Sequence, residues 1–324
     1  MRRIKEEING FKSPTSSPQS DTQASEWQEK NRLWWNNNPM RYDWKKPIEF
    51  KEFSRDFYKE IDKRFFSISW EFMPWKRIPF DPVIDFESLA QKDVLEIGVG
   101  NGSHAQLLAA YAKSYTGIDI TDYAVKSTAK RMKAFGLNEA RIIKTDAENM
   151  KFYDDSFDYI WTWGVIDHSA NTETIIKEMS RVLRPGGRAT VMVYHRGWWN
   201  YYFIGTVFHG ILRGGLFRTG SLHKTIQENT DGAFSRYYTT ADWRRMASAF
   251  FHVDTIRIYG PKTDLFPIPG SKFKSSIMKA TPDTICRFLT NVCRMGGFLV
   301  SDLSSQKGEQ NSIRDKQLSN KLLR

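Results

Sequence analysis

The chain has 324 residues, and its 48 Lys and Arg against 37 Asp and Glu give a formal net charge of +11. A hydrophobic fraction of 40% and a charged fraction of 26% are typical of a globular protein, which excludes a wholly disordered or collagenous chain. The only two cysteines, Cys286 and Cys293, form no Cys-x-x-Cys pair, so we expect neither a disulfide framework nor a zinc ribbon. No other cluster has metal-ligand spacing, and we predict no metal site.

Polar segments stand at both ends of the chain. Residues 1–25 contain few large apolar side chains after their first basic residues, and we predict a disordered tail there. Residues 304–324 are similarly polar and predict a second tail. Six of the eleven tryptophans precede residue 80, so residues 26–92 predict a helical, Trp-rich N-terminal cap.

Neither a membrane span nor a secretory signal is evident in the sequence. No segment approaches the ~20 continuous apolar residues that a bilayer requires. The first 25 residues also lack the apolar region of a signal peptide. We therefore expect a cytoplasmic protein.

Between residues 93 and 194, short apolar strands alternate with amphipathic helices. Strands are predicted at Asp93–Ile97, Tyr115–Ile120, Arg141–Thr145, Phe157–Thr162 and Ala189–Tyr194, with helices at Ser103–Ala112, Thr121–Phe135 and Asn171–Leu183. This alternation is typical of βαβ units. It predicts an α/β fold with a doubly wound, mostly parallel sheet covered on both faces.

The rest of the chain predicts further helices and two more strands. Helices are expected at Trp198–Leu212, Thr240–Phe250 and Pro282–Met295, and strands at Val253–Tyr259 and Phe298–Ser301. We therefore assign residues 93–303 to one domain. It carries a lid insertion at 197–240 and a second insertion at 260–296.

The segment Val94 to His104, VLEIGVGNGSH, is a strand that ends in a glycine turn and opens a helix. Gly98 and Gly100 permit a tight turn with close backbone approach, and a helix N-terminus offers free N–H groups. The glycines do not follow the GxGxxG spacing of dinucleotide-binding proteins, which makes NAD a less favoured ligand. A polar ligand is expected at the carboxyl end of this strand.

Two acidic residues follow the next two strands. Asp119 closes the second strand, 23 residues after Glu96, where a carboxylate can accept the hydroxyls of a ribose. Asp146 follows the third strand. Ligands of open α/β sheets collect along this edge, so both side chains are candidates for one binding site.

Four segments in this order resemble the class I S-adenosylmethionine-dependent methyltransferases, in particular the small-molecule type that includes the ubiquinone/menaquinone C-methyltransferases. They are VLEIGVGNG (94–102), GIDIT (117–121), TDAENMKFYDDSFDYIWTWGVIDHS (145–169) and MSRVLRPGGRATVMVYHR (179–196). The resemblance implies S-adenosylmethionine as the cofactor. It also implies a seven-stranded sheet whose last strand is antiparallel.

The resemblance further implies which residues hold the cofactor. Glu96, Gly98 and Gly100 would hold the methionine part of the cofactor. The ribose and one side of the adenine would contact Asp119 and Ile120, and the adenine amino edge would contact Asp146 and Ala147. Trp163 and Gly164 would line the inner wall of the cofactor site.

Many relatives carry two adjacent histidines after the fourth strand, where this chain has Asp167 and His168. The resemblance places this pair near the transferred methyl group, so Asp167 and His168 are the predicted catalytic residues, with Asp167 orienting His168. The alternative is that His168 only packs or bonds to the backbone. His195, at the end of the fifth strand, is a second candidate and is expected to face the substrate.

The apolar segment Trp198–Leu212 starts on the sheet edge where a substrate must enter. As a helix it would extend ~22 Å, too short for a hydrocarbon core of ~30 Å. We expect it to cover the acceptor pocket, with Tyr202 and Phe203 against the substrate. Twelve Lys or Arg against five acids lie between residues 195 and 280, which favours anionic partners such as phosphate groups, nucleic acid or an acidic membrane surface. One expectation is therefore peripheral contact of this segment with an anionic membrane. The alternative is a lid packed wholly onto the N-terminal aromatic residues.

The expected function is methyl transfer to a small apolar or lipid-like acceptor. A second hypothesis is a methyltransferase of RNA or another nucleic acid, which the basic C-terminal half would suit. No Pro-Pro-Tyr or Pro-Pro-Phe motif follows the fourth strand and no RNA-binding module is evident, so nucleic acid is the less favoured partner. A third hypothesis is a catalytically inactive S-adenosylmethionine-binding protein.

Overall fold

A seven-stranded sheet forms the centre of the protein. The computed structural model describes residues 8–44, 46–267 and 272–307. The sheet order is β3-β2-β1-β4-β5-β7-β6, and β7 pairs antiparallel with both β5 and β6 while the other pairs are parallel. The strands are β1 Asp93–Ile97, β2 Ser114–Asp119, β3 Arg141–Lys144, β4 Phe157–Trp163, β5 Leu183–Tyr194, β6 Phe251–Tyr259 and β7 Phe298–Ser305. The predicted fold class is confirmed.

Helices cover both faces of this sheet. They are α1 Asp21–Asn37, α2 Arg55–Phe72, α3 Ser103–Tyr111, α4 Asp122–Ala134, α5 Thr172–Val182, a lid helix of π type at Trp198–Leu212, α6 Gly215–Thr219, α7 Leu222–Gln227, α8 Thr240–Ala247, α9 Lys272–Ala280 and α10 Asp283–Arg287. A π-type turn at Phe288–Val292 continues α10. Short 3₁₀ turns lie at Glu87–Gln91, Ala147–Asn149, Ile166–His168 and Lys262–Asp264.

The position of β1 determines where a ligand can bind. β1 pairs with β2 on one side and with β4 on the other, so the strand order reverses between β1 and β4. Val94, Leu95 and Ile97 are buried because apolar layers cover both faces of the strand. A crevice therefore opens at the carboxyl end of β1, directly above the glycine turn.

The expectation of a disordered tail over residues 1–25 is wrong for residues 8–25. Phe11 is buried and makes an edge contact with Trp27 of α1, with 5.4 Å between the ring centroids. The Tyr237 N–H donates to the carbonyl of Pro14 at 3.0 Å, and the Ser20 side chain caps α1. A single buried aromatic residue and backbone hydrogen bonds therefore hold a segment whose composition is polar.

The other end of the chain also differs from its prediction. Strand β7 continues through Ser305, because Ser304 pairs with both β5 and β6. The remainder of the predicted polar tail, residues 308–324, lies outside the described residues. In the part of the chain that the structure describes, none of the helices has the length and apolarity needed to cross a bilayer.

Candidate cofactor and acceptor site

The glycine turn after β1 adopts backbone angles that glycine favours. Gly98 and Gly100 have φ values of +81° and +53°. A Cβ at Gly98 would clash with the Val165 side chain, whereas at Gly100 it would meet no atom within 4 Å. Gly98 is thus required for packing. Gly100 leaves open space beside the backbone, and both glycines line a large cavity.

Asp119 lies at the end of β2 and faces the same cavity. Its Oδ2 accepts a hydrogen bond from the Gly100 N–H at 3.3 Å, and its Oδ1 accepts from the Thr121 N–H at 2.9 Å and hydroxyl at 2.8 Å. Burial raises the pKa of the Asp119 carboxyl, against the opposing effect of these hydrogen bonds. The adjacent Ile120 also lines the cavity.

Glu96 lies below the glycine turn, and it is not among the residues that line the cavity. Its carboxylate is 2.5 Å from the Tyr115 hydroxyl, and the residue is buried. Burial raises the pKa of Glu96 to about 8, although the Tyr115 hydrogen bond acts in the opposite direction. In this geometry Glu96 is a positioning residue beneath the turn.

Asp146 and Ala147 both line the cavity, where helix α1 closes over it. The Asp146 Oδ1 accepts from the Gln28 side-chain amide at 2.8 Å and from the Glu148 N–H at 2.9 Å. Gln28 also accepts from the Ala170 N–H at 2.9 Å. The N-terminal cap therefore forms one wall of the predicted cofactor site.

Asn31, one helical turn after Gln28, is a site residue that the sequence did not reveal. It lines the cavity and is only 6% exposed, yet its Oδ1 has no hydrogen-bond partner among the described residues. A buried acceptor without a partner costs free energy, on the order of 1–3 kcal/mol. A ligand that donates a hydrogen bond to Asn31 would remove this cost.

Trp163 and Gly164, at the end of β4, line the cavity as predicted for its inner wall. Trp163 stacks on Trp161 at 5.4 Å between ring centroids. The Gly164 N–H donates to the Met192 carbonyl at 3.1 Å, which fixes the turn where β4 leaves the sheet.

The cavity continues from the glycine turn to the lid helix, and we call this second part the acceptor chamber. The total volume of the cavity is about 900 Å³. The acceptor chamber is lined by apolar and aromatic side chains of α1, α2, β5, the lid helix and β7, including Trp35, Phe65, Phe72, Met192, Tyr201, Ile204, Phe208 and Phe298. The chamber is also lined by the polar or charged side chains of Asn200, His209, Arg213 and Asp264. Large aromatic side chains with a few polar groups among them are typical of small-molecule sites, and we call the part of the cavity along the glycine turn its polar half.

The predicted catalytic pair does not lie in this cavity. His168 is 2% exposed, and neither it nor Asp167 is among the lining residues. The His168 Nδ1 is 2.9 Å from the Phe234 carbonyl, while its Nε2 is 4.0 Å from Asp167. These contacts are those of a buried structural histidine, and the expectation that His168 acts as a base is not supported. Trp35 and Tyr194 pack against its ring at 5.0 and 5.4 Å.

His195, the second candidate, does line the chamber. Its Nδ1 is 2.9 Å from the Gly296 carbonyl, and burial lowers the pKa of the imidazole, which is therefore neutral at pH 7. Asp264 also lines the chamber and accepts from the Gly297 N–H at 2.9 Å. Burial raises the pKa of Asp264 to about 7. The backbone of the adjacent residues Gly296 and Gly297 thus contacts both titratable side chains, His195 and Asp264.

The prediction for Tyr202 and Phe203 is wrong, because both side chains point away from the chamber. They are 47% and 46% exposed, and Phe203 stacks on Trp199. Their neighbours Tyr201 and Ile204 are buried and line the chamber instead. An all-round apolar helix does not reveal which face is inside, and here the two residues that flank the predicted pair face the chamber.

The residues of the polar half fit S-adenosylmethionine. Open space beside Gly100 leaves room for a ligand against the turn, and the Asn31 Oδ1 lacks a hydrogen-bond donor. The carboxylates of Asp119 and Asp146 border the same space. An elongated ligand with several hydrogen-bond donors matches this set of acceptors.

Residues 95–191 match the family model described as a methyltransferase domain. Over 101 residues the chain is 36% identical to the phthiotriol/phenolphthiotriol dimycocerosates methyltransferase of Mycobacterium tuberculosis, covering 31% of this chain and 36% of that one. It is 29% identical over 106 residues to phosphoethanolamine N-methyltransferase 2 of Caenorhabditis elegans, covering 32% and 24%. The chain thus matches about a third or less of the length of these relatives.

Among solved structures, a SAM-dependent methyltransferase from Methanosarcina mazei aligns with the chain at 20% identity and a TM-score of 0.46, over 69% of this chain and 97% of that one. The family match covers the strands and turns that form the polar half of the cavity, from β1 to β5. Residues 95–191 therefore match a methyltransferase domain, and this stretch contains the glycine turn, Asp119 and Asp146.

Proposed function

We propose that the chain is an enzyme that transfers a methyl group from S-adenosylmethionine to a small apolar or lipid-like acceptor. The observation that carries this proposal is the continuous cavity, whose polar half borders the glycine turn and whose acceptor chamber, rich in aromatic side chains, lies beneath the lid helix. A polar methyl donor and an apolar acceptor would thereby meet inside one enclosure. Water exclusion and fixed orientation could lower the barrier by about 7–11 kcal/mol.

The cofactor would be held by Asp119, Asp146 and Asn31 together with the backbone beside Gly100. When bound, it supplies an electrophilic methyl group on a sulfonium and leaves as the neutral thioether S-adenosylhomocysteine. The chain itself orients the two reactants and closes the site with α1. Trp163 and Gly164 would form the wall between the two halves.

An acceptor whose nucleophilic atom carries a proton would lose that proton during the transfer. We assign its uptake to the Nε2 atom of His195. The Nδ1 atom must donate to the Gly296 carbonyl, since a carbonyl only accepts, and this leaves the Nε2 lone pair for the acceptor. Burial keeps the imidazole neutral, which is the state that a base requires.

The apolar nature of the acceptor rests on the residues of the chamber. Aromatic and aliphatic side chains such as Trp35, Phe72 and Ile204 line it. The 36% identity to a methyltransferase of phthiotriol and phenolphthiotriol dimycocerosates is in accord with such an acceptor, but it covers only 31% of the chain.

The test is incubation of the full chain with methyl-labelled S-adenosylmethionine and separated lipid, small-molecule, protein and RNA extracts. We expect the label in the lipid or apolar small-molecule fraction. Label in RNA alone would favour the nucleic-acid methyltransferase, and cofactor binding without label in any fraction would favour the inactive binding protein.

A further inference from the structure

The lid helix has two apolar faces with different environments. Its inner face, including Tyr201, Ile204 and Phe208, lines the acceptor chamber. Its outer face and the following helix α6 expose a second set of large apolar side chains, namely Trp198, Tyr202, Phe203, Val207, Ile211, Leu212 and Phe217. Leu212 and Phe217 are 71% and 81% exposed. Large contiguous apolar patches are uncommon on a monomeric protein surface and mark interaction sites.

A second exposed apolar set lies beside the first. Ile285, Phe288 and Val292 are exposed on α10 and the turn that continues it. The Trp198 indole N–H donates to the Cys293 carbonyl at 3.2 Å, so exposed Trp198 lies next to the residue that follows Val292. We call these ten side chains the apolar docking surface.

The segments that carry this surface are strongly basic. Residues 198–227 and 272–294 contain eight Lys or Arg and a single acid, Asp283. No acid occurs between Glu178 and Glu228. Arg213 and Arg294 are exposed within these segments, and Arg218 is exposed but pairs with Glu228. Apolar side chains bordered by cations are the combination that binds an interface containing anionic lipid headgroups.

We infer that the apolar docking surface seats the protein on a membrane that contains anionic lipid, and that an apolar acceptor passes from the bilayer into the chamber beneath the lid helix. The second part rests on the proposed function, whereas the first part does not. A second copy of this chain is a poorer occupant, because like charges on the two copies would face each other across the contact. An anionic bilayer supplies the opposite charge and also accepts the apolar side chains.

The experiment is flotation of the full chain with vesicles of phosphatidylcholine alone and of phosphatidylcholine mixed with phosphatidylglycerol. We expect binding to the mixed vesicles only, and weaker binding as salt rises, since the screening length falls from about 10 Å at 0.1 M to about 3 Å at 1 M. The triple variant Leu212→Ser, Phe217→Ser, Phe288→Ser should bind roughly 100-fold more weakly.

The control variant is Tyr153→Ser, which removes a side chain that is 91% exposed in the loop before β4, outside the docking surface. It should bind vesicles like the unchanged protein. Equal flotation of the triple variant and the unchanged protein would overturn the inference, as would dimer formation in sedimentation or RNA binding in place of vesicle binding. Calorimetric titration with S-adenosylmethionine, without vesicles, tests the proposed function separately, and the triple variant should retain that affinity.

Discussion

The Nδ1 atom of His195 lies 2.9 Å from the carbonyl oxygen of Gly296, which joins the end of β5 to the start of β7 inside the acceptor chamber. His168 makes a similar Nδ1 contact with the Phe234 carbonyl, but its ring is enclosed by Trp35 and Tyr194. Both rings are therefore fixed in the same tautomer. Only His195 is placed where a substrate could reach its second nitrogen.

The first prediction compares these two histidines. His195→Ala should lower kcat by about 10² to 10⁴ for an acceptor that must lose a proton, while leaving S-adenosylmethionine affinity unchanged. His168→Ala should instead lower the free energy of unfolding, by about 1–3 kcal/mol, because it leaves buried polar groups without partners. Rate per folded molecule and denaturant unfolding measure the two effects. The reverse assignment of effects would restore His168 as the base.

The second prediction compares neighbours on the lid helix. Tyr201→Ala should raise the acceptor KM, because Tyr201 lines the chamber, whereas Tyr202→Ala should leave it unchanged when the acceptor is supplied in solution. Losing the buried ring would cost about 1–3 kcal/mol of acceptor binding, or roughly 5- to 150-fold in KM. Steady-state kinetics at saturating cofactor gives both values. A larger effect from Tyr202 would contradict the observed helix orientation.

The third prediction concerns Asn31. Asn31→Leu should weaken S-adenosylmethionine binding by about 1–3 kcal/mol, because it removes the acceptor that a ligand would satisfy. The unliganded protein should be no less stable, since the Oδ1 has no partner there. Glu26→Gln, on the exposed side of the same helix, is the control and should change neither quantity. Calorimetry and thermal unfolding without cofactor separate the effects, and unaltered affinity in Asn31→Leu would remove this residue from the site.

The fourth prediction is a pH dependence. The pKa of Glu96 is raised to about 8 in the folded protein from an ordinary value near 4.5, so the folded state holds a proton that the unfolded state releases. Its contribution to stability therefore falls as pH rises between these two values. Glu96→Gln should be more stable than the unchanged protein by about 1–3 kcal/mol at pH 8, with a smaller difference at pH 5. Urea unfolding of both proteins at pH 5 and pH 8 measures this difference in the free energy of unfolding. An equal difference at the two pH values would contradict a raised pKa of Glu96 in the folded protein.

Features with local causes were predictable from the sequence. The turn 98–102 follows a short apolar strand and contains glycines at the positions of positive φ. Asp119 and Asp146 were located because parallel strands bring their carboxyl ends to one edge. The alternation from β1 to β5 likewise predicted the parallel part of the sheet and its doubly wound class.

Features that depend on distant partners were not predictable. Gln28 meets Asp146 across 118 positions of sequence, and nothing in helix α1 signals which side chains face a ligand. The lid helix is apolar on every side, so its inner face is determined only by what packs against it. In the sequence, His168 follows Asp167, which is why the two residues were expected to act as a catalytic pair. In the fold, the side chains of Trp35 and Tyr194 pack against the His168 ring.

The most direct test of the account is calorimetric titration of the full chain and of Asp119→Ala with S-adenosylmethionine, S-adenosylhomocysteine and NADH. The account predicts that the unchanged chain binds the first two and not NADH, and that Asp119→Ala loses about 1–3 kcal/mol of affinity while remaining folded. Preferential binding of NADH, or undiminished S-adenosylmethionine affinity in a folded Asp119→Ala variant, would contradict the assignment of this cavity to the methyl donor.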